Sequence, residues 1–187
     1  MLESILIKNV DIVFPDSIKT GDVFIKDGKI QAFGSSLSAA AEYEINDSGL
    51  TLMPGVIDAH VHFREPGLEW KEDLESGTRA AVAGGVTSFF DMPNTNPATI
   101  DCESLEQKKK IAQEKSLANY NFFIGATKNN LDEVINAKNI PGVKIFMGSS
   151  TGSLLLENYK DMEAFFAKGD FLIAVHAEAD FLIKENQ

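Results

Sequence analysis

The sequence predicts an α/β fold in two parts: a small β-rich element over residues 1–53 and strand–helix units over residues 54–187. Before Pro54, the chain contains only short segments of alternating apolar and polar residues, separated by turns. After Gly55, short apolar runs alternate with helical patterns at intervals of roughly 30 residues, which is typical of βαβ units in a parallel sheet. A chain of 187 residues is long enough to bury a sizeable core.

The β-rich element is predicted from three strand-like segments, "SILIKNVDIV", "DVFIKDGKIQAFG" and "EYEIND". Asp27 and Gly28 interrupt the second segment between alternating apolar residues. Because aspartate and glycine tolerate the positive φ of a two-residue turn, this pair predicts a β-hairpin. We expect the element to be part of a small β-sandwich.

Five strand–helix units are predicted after residue 54, and their strands are "GVIDAHVHF", "VTSFFDM", "NYNFFIGA", "GVKIFMG" and "FLIAVHAE". The first helix, "LESGTRAAVAGG", is expected to end at its glycine pair. A closed (β/α)8 barrel of the TIM type needs eight such units. The sequence therefore predicts the N-terminal part of a barrel. No glycine-rich phosphate loop follows the first strand, which argues against dinucleotide binding.

Charge and cysteine content exclude several classes of function. The net charge is −11, which argues against nucleic acid or an anionic membrane surface as a partner. An anionic substrate would need a local positive site. A single cysteine, Cys102, excludes a disulfide framework and fits a reducing, cytoplasmic compartment. The start, "MLESILIKNVDIVF", predicts neither a signal peptide nor a membrane span.

Two of the chain's three histidines, His60 and His62, lie one residue apart on the first predicted barrel strand. Alternate strand residues face the same way, so both imidazoles are expected to point together, with Asp58 and Arg64 at the same spacing. Neutral imidazole is a common zinc ligand, and a metal would satisfy this polar face. The alternative is a solvent-facing edge strand that carries the two histidines by chance.

The third histidine, His176, ends the fifth strand, and Lys144 lies between apolar residues on the fourth. In (β/α)8 barrels the chemistry sits at the C-terminal ends of the strands, which favours His176 as a further metal ligand over a core residue. Lys144 is either a lysine that reaches solvent at the rim or a neutral amine that captures carbon dioxide as a carbamate. The polar segment "SSTGSLLLENY" that follows is compatible with a loop over a substrate.

The sequence resembles the amidohydrolase superfamily, and within it the dihydroorotases of the cyclic amidase group. "PGVIDAHVHFREPG" looks like the signature of that family, and "GTRAAVAGGVTSFFDMPNTNP" fits it too. Hydantoinases and allantoinases share the histidine pair and the "GTRAA..GG" stretch, whereas the arginine of "HFRE" with "DMPNTNP" points to dihydroorotase. The resemblance extends from the β-rich start to the fifth strand. It implies the N-terminal portion of a metal-dependent hydrolase barrel.

The resemblance also implies a set of metal ligands. His60 and His62 match the pair that holds the more buried of two zinc ions. Lys144 matches the carboxylated lysine that bridges the two metals, although some family members use an aspartate there. His176 matches a ligand of the second metal.

Arg64 and Asn94 resemble the family's residues that bind the substrate carboxylate. A planar guanidinium suits this role, because it can hold a carboxylate at two points. It would also supply the local positive charge that an acidic chain needs. The alternative for Arg64 is a surface salt bridge with Glu65 or Glu69, which is worth little.

The implied activity is the reversible hydrolysis of dihydroorotate to N-carbamoyl-L-aspartate in pyrimidine biosynthesis, by a cytoplasmic enzyme that is commonly a homodimer. The family's proton-transferring aspartate and a further histidine ligand belong to the eighth and sixth strands. We therefore expect both beyond Gln187, and expect residues 1–187 to look truncated and to be inactive alone. Two alternatives stay open: a hydantoinase- or allantoinase-type cyclic amidase, and a non-catalytic dihydroorotase-like subunit.

Overall fold

The structure, a computed structural model, describes residues 3–148, 154–156 and 158–187. Internal contacts divide the chain into two units, Met1–Pro54 and Gly55–Gln187. Most of the polar segment predicted after Lys144, residues 149–153 and 157, lies outside the described residues. In the described part of the chain, no helix is both long and apolar enough to cross a membrane.

The first unit is a single five-stranded sheet. Its strands are β1 (Ser4–Val13), β2 (Ile18–Lys26), β3 (Lys29–Gly34), β4 (Tyr43–Asn46) and β5 (Thr51–Leu52). β2 pairs with β1 and β3 in antiparallel fashion, whereas β4 and β5 both pair with β1 in parallel. The turn between β2 and β3 consists of Asp27 and Gly28, with φ of 52° and 71°, so the predicted hairpin is confirmed.

The second unit alternates strands with helices. Its elements are β6 (Val56–Val61), α1 (Leu74–Ala83), β7 (Val86–Asp91), α2 (Cys102–Lys115), β8 (Asn119–Phe122), β9 (Ile124–Gly125), α3 (Leu131–Asn136), β10 (Val143–Phe146), α4 (Tyr159–Lys168), β11 (Ile173–His176) and α5 (Asp180–Glu185). The strands pair in parallel in the orders β6-β7-β8 and β9-β10-β11. The third predicted strand is thus split at Phe123 and contributes to both sheets. The predicted α/β fold is confirmed.

The first two helices begin with the same capping arrangement. Asp73 Oδ1 accepts a hydrogen bond from Ser76 N at 2.7 Å, and Asp101 Oδ1 accepts one from Ser104 N at 2.7 Å. Each bond satisfies a backbone N–H that has no partner within the helix. α1 ends before Gly85, whose φ is 85°, as the glycine pair predicts.

Two apolar clusters attach the helices to the sheets. One lies beneath β6 to β8 and contains Phe63, Leu74, Phe89, Leu105, Ala112, Ala118 and Phe122. The other lies beneath β9 to β11 and contains Ile124, Ala126, Val134, Val143, Ile145, Leu156, Met162 and Phe165. A Cβ atom on Gly77 would lie 2.6 Å from the Phe63 ring, so a glycine in α1 permits close packing beside the histidine pair.

β6 is more exposed than a buried barrel strand would be. Val56 and Ile57 are 48% and 63% exposed, because β6 pairs only with β7 among the described strands. The strand also ends at Val61, and Arg64 has a φ of 66°. The alternation expected to place Arg64 on the face of His60 therefore stops before it reaches Arg64.

Candidate metal and substrate site

The two adjacent histidines lie at the C-terminal end of β6. The ring centroids of His60 and His62 are 5.2 Å apart, so both rings project to the same side, as expected from their spacing. His62 Nδ1 donates a hydrogen bond to Asn94 Oδ1 at 2.7 Å. An amide oxygen only accepts, so the proton lies on Nδ1, and Nε2 keeps its lone pair for a ligand.

The surroundings lower the pKa of both imidazoles, which favours their neutral form. Burial lowers the pKa of His62 below its usual value, and the positive charge of Arg64 lowers it further. Burial also lowers the pKa of His60, and so do the charges of Lys144 and His176. Four other predicted site residues therefore lie near enough to the histidine pair to shift its pKa values: Arg64, Asn94, Lys144 and His176. Neutral imidazole is the form that binds metal ions.

Lys144 is buried on β10, with 1% of its surface exposed. The register pairs it with Ala174 and pairs Phe146 with His176, so Lys144 and His176 point to the same side of adjacent strands. Its Nζ lies 5.1 Å from the centroid of the Phe146 ring. Burial lowers the pKa of the Lys144 amine, and no acid among the described residues opposes this shift. The environment therefore favours a neutral, nucleophilic amine.

His176 ends β11 and is half-buried. Its Nε2 lies 3.2 Å from Glu178 Oε2. This contact occupies one ring nitrogen and leaves Nδ1 as the atom available to a ligand.

A second buried lysine, Lys108, has a different environment. Its Nζ lies 2.6 Å from Asp91 Oδ2, donates to Met92 O at 3.0 Å, and lies 4.9 Å from the centroid of the Phe122 ring. Asp91 and Lys108 are both fully buried. This pair could not be predicted from the sequence, because no local pattern shows that an acid at a strand end and a lysine on the next helix meet. Lys144, in contrast, has no buried acid as a partner among the described residues.

The residues around Arg64 are also paired in a way that the sequence did not predict. Glu65 Oε1 lies 2.5 Å from Lys115 Nζ, and Glu69 Oε1 accepts from Gly67 N at 2.7 Å. Both acids that were considered as partners of Arg64 are thus engaged elsewhere. The guanidinium of Arg64 lies near enough to His62 for its positive charge to lower the pKa of that imidazole.

The nitrogen donors of the candidate residues fit a divalent metal, although one of these residues is a lysine, which is not among the usual ligand types. Among the described residues, no three side chains of histidine, cysteine, aspartate or glutamate form a metal-binding group. The candidate set contains a lysine, and an unmodified amine is not a usual ligand. The lowered pKa values of Lys144, His60 and His62 favour neutral nitrogen donors, which suit zinc because it binds nitrogen donors and carboxylate-like oxygens.

A comparison with protein families assigns the chain to a family. A model of the amidohydrolase family matches residues 51–181, a range that includes His60, His62, Lys144 and His176. The chain belongs to the amidohydrolase family. The resemblance drawn from "PGVIDAHVHFREPG" is therefore confirmed at this level.

Curated relatives of this amidohydrolase include cyclic amidases with different substrates. The dihydroorotase of Methanosarcina acetivorans is 36% identical over 182 residues, which are 95% of this chain and 39% of that enzyme. The allantoinase of Solibacter usitatus is also 36% identical, over 94% of this chain and 40% of that enzyme. The chain thus spans about two fifths of the length of these relatives. Identity alone does not separate the two substrates.

Solved structures place this amidohydrolase in the predicted fold. L-hydantoinase from Arthrobacter aurescens superposes with a TM-score of 0.89 at 28% identity, over 99% of this chain and 43% of that chain. A D-hydantoinase superposes with a TM-score of 0.82 at 29% identity. The second unit is accordingly the N-terminal part of an amidohydrolase barrel, as the five strand–helix units predicted.

Proposed function

We propose that this chain is part of a metal-dependent hydrolase of cyclic amides, and specifically of a dihydroorotase. The observation that carries the proposal is the group of side chains from the end of β6, the loops after β6 and β7, and β10. It combines two histidines with lowered pKa values, a buried lysine with no acidic neighbour among the described residues, and an arginine. The histidines and the lysine suit metal binding, and the arginine suits a substrate that carries a carboxylate.

We propose His60, His62, Lys144 and His176 as the residues that would hold two zinc ions. The ions would lower the pKa of a bound water and polarise the amide carbonyl. For Lys144 to contribute oxygen donors, its neutral amine attacks carbon dioxide, an N–C bond forms, and one proton leaves to solvent. The product is a carbamate anion. Burial supports this step, because no acid among residues 3–148, 154–156 and 158–187 holds the proton on the amine, and the nitrogen lone pair is more often free.

Arg64 and Asn94 are proposed to bind and orient the substrate carboxylate. A guanidinium can donate two parallel hydrogen bonds to a carboxylate, which fixes both position and orientation. Its charge near His62 also provides a local attraction for an anion in a chain of net charge −11. Asn94 additionally accepts the bond from His62 Nδ1, so the same amide connects the metal and the carboxylate sides of the site.

One observation favours a second candidate, a hydantoinase-type enzyme: the fold matches L-hydantoinase with a TM-score of 0.89. Hydantoin and allantoin carry no carboxylate, so they have no use for an arginine placed to bind one. A non-catalytic dihydroorotase-like subunit is the third reading. The four candidate ligands that this chain retains speak against it.

The test is a comparison of substrates. The assay uses the whole protein that contains residues 1–187, and not these residues alone. The protein is loaded with zinc in bicarbonate, and hydrolysis of dihydroorotate, hydantoin and allantoin is measured. A dihydroorotase hydrolyses dihydroorotate fastest, and Arg64→Met reduces that rate while leaving any rate with hydantoin within about threefold, because only the carboxylate contact is lost. Faster turnover of hydantoin or allantoin would favour the second candidate. Zinc binding without turnover of any substrate would favour the third.

A further inference from the structure

α2 carries two lysines whose ammonium groups meet buried acids. Lys108 and Lys115 are seven residues apart, about two helical turns, and so lie on the same face of the helix. Lys108 Nζ lies 2.6 Å from Asp91 Oδ2, and Lys115 Nζ lies 2.5 Å from Glu65 Oε1. Asp91 ends β7, and Glu65 lies in the loop after β6.

The Asp91 pair links the end of β7 to the residue after the second histidine. Asp91 Oδ1 accepts a hydrogen bond from Phe63 N at 2.9 Å. On the other side, Lys108 Nζ donates to Met92 O at 3.0 Å, two residues before Asn94. One buried ion pair therefore restrains the backbone on both sides of the His62–Asn94 contact.

The Glu65 pair restrains the loop that presents the arginine. Glu65 is 4% exposed, and its Oε2 accepts from Leu74 N at 2.9 Å while Oε1 contacts Lys115. The preceding residue, Arg64, has a φ of 66°, a conformation that residues with side chains rarely adopt unless their surroundings hold them. The buried carboxylate next to it supplies such a restraint.

The two loops also contact each other directly. Asn96 N donates to Pro66 O at 2.9 Å. At Gly67, with a φ of 86°, a Cβ atom would overlap Asn96 O, so only glycine permits this approach. The loop after β6 and the loop after β7 therefore form one connected surface, and α2 holds both of them.

We propose that Lys108 and Lys115 are positioning residues: through their acidic partners they fix the two loops that carry Arg64 and Asn94, and so set the geometry of the substrate carboxylate site. The carboxylate part rests on the proposed function, whereas the positions of the two side chains do not. The alternative role for both lysines is stabilisation of the fold alone, without effect on Arg64 or Asn94.

The test for the loop after β6 uses Lys115→Met, Lys115→Arg and, as a matched control, Lys109→Met. Lys109 lies on the same helix and pairs with the exposed Glu106. Nuclear magnetic resonance reports the backbone and side-chain signals of Arg64, and calorimetry measures the affinity for N-carbamoyl-L-aspartate. Lys115→Met should shift the Arg64 signals and weaken binding by roughly tenfold to 100-fold. Lys115→Arg should restore both, and Lys109→Met should change neither.

The loop after β7 needs a charge-neutral variant, because Lys108→Met alone leaves a buried, unpaired carboxylate that can unfold the chain. Asp91→Asn/Lys108→Met removes both charges and keeps an oxygen for Phe63 N. We expect this variant to fold and to shift the side-chain signals of Asn94. Glu65→Gln/Lys115→Met is the corresponding neutral variant for the first loop, and its Arg64 signals should shift in the same way.

The outcomes separate the two proposals. The positioning role is overturned by folded variants whose Arg64 and Asn94 signals match those of the unmodified chain, or by a Lys109→Met variant that changes as much as Lys115→Met. Failure of the unmodified chain to bind N-carbamoyl-L-aspartate would count against the proposed substrate instead. In that case the ligand-free signals still decide whether the lysines position Arg64 and Asn94.

Discussion

His62 Nδ1 donates a 2.7 Å hydrogen bond to Asn94 Oδ1, which joins the residue after β6 to the loop after β7. The bond fixes the tautomer of His62 and directs Nε2 away from Asn94. Residues that fix a metal-binding imidazole in this way raise its affinity for the metal, because the ring needs no reorientation when the ion binds. We therefore propose that Asn94 orients His62 for a metal, in addition to the carboxylate contact predicted from the sequence.

Replacing Asn94 should weaken metal binding even though asparagine is not itself a proposed ligand. Asn94→Ala removes the acceptor for His62 Nδ1, so we expect a loss of roughly 10- to 100-fold in zinc affinity, measured by calorimetry. Asn129→Ala is the control, because Asn129 is exposed and distant in sequence. Equal zinc affinities for the two variants would show that the Asn94 contact does not orient the histidine.

The two histidines should make stability depend on pH near neutrality. Their pKa values are lowered in the folded, metal-free chain, whereas in the unfolded chain they return to about 6.5. Below that pH the unfolded state binds more protons, so the free energy of unfolding should fall as the pH is lowered. Above about pH 6.5 the two histidines are neutral in the folded and the unfolded chain, so they should no longer make the free energy of unfolding depend on pH.

Urea unfolding between pH 5 and 8, with a chelator present, measures this dependence. His60→Gln/His62→Gln should flatten the slope between pH 5 and 6.5, since both titrating groups are gone. Backbone hydrogen bonds from Leu37 and Asn9 lower the pKa of the buried acid Asp22. Asp22 therefore changes the free energy of unfolding only below about pH 4, outside the range of this measurement. An unchanged slope in the double variant would contradict the neutral state assigned to the pair.

Lys144 should react with carbon dioxide more readily than other lysines of the chain. Its amine is buried and has no acidic partner in the part of the chain that the structure describes, so a larger fraction is neutral at a given pH. With ¹³C-labelled bicarbonate, we expect a carbamate signal that Lys144→Gln abolishes. Lys110→Gln, which removes an exposed lysine, should retain it. A signal that survives in Lys144→Gln would assign the modification elsewhere.

The outer strands of the second unit should promote self-association of the 187-residue chain. β6 and β11 each pair on one side only among the described strands, and Ile57, Leu172 and Val175 are 63%, 62% and 45% exposed. Unpaired apolar edges favour pairing with another chain. Sedimentation should show dimers or larger species, and Ile57→Lys should reduce them because it adds charge to the edge. A monomer at high concentration would contradict this expectation.

The sequence was informative where residue type and spacing decide the structure. The turn at Asp27 and Gly28 follows from local backbone preferences, and the alternation of His60 and His62 predicts the shared side of their rings. Burial of β6 could not be predicted in the same way. Its apolar residues match a buried strand, but burial depends on which strands pair with it.

Contacts between distant residues were the part that the sequence did not reveal. Lys108 lies in the run "KKK", where solvent exposure is the ordinary expectation, yet it is fully buried against Asp91. Glu65 is adjacent to Arg64 in sequence but pairs with Lys115, 50 residues away. Such pairs form because the fold brings the residues together, and no local pattern distinguishes the lysine that is buried from its exposed neighbours.

A zinc titration tests whether His60, His62 and His176 bind metal together with Lys144. The titration is followed through the imidazole ¹⁵N signals of the 187-residue chain in bicarbonate. We predict that the Nε2 signal of His62 shifts on zinc binding while Nδ1 keeps its proton. The signals of His60 and His176 should shift at the same zinc concentration. The double variant His60→Ala/His62→Ala should not bind zinc. Unchanged imidazole signals at saturating zinc, or full zinc affinity in the double variant, would show that these residues do not form a metal site.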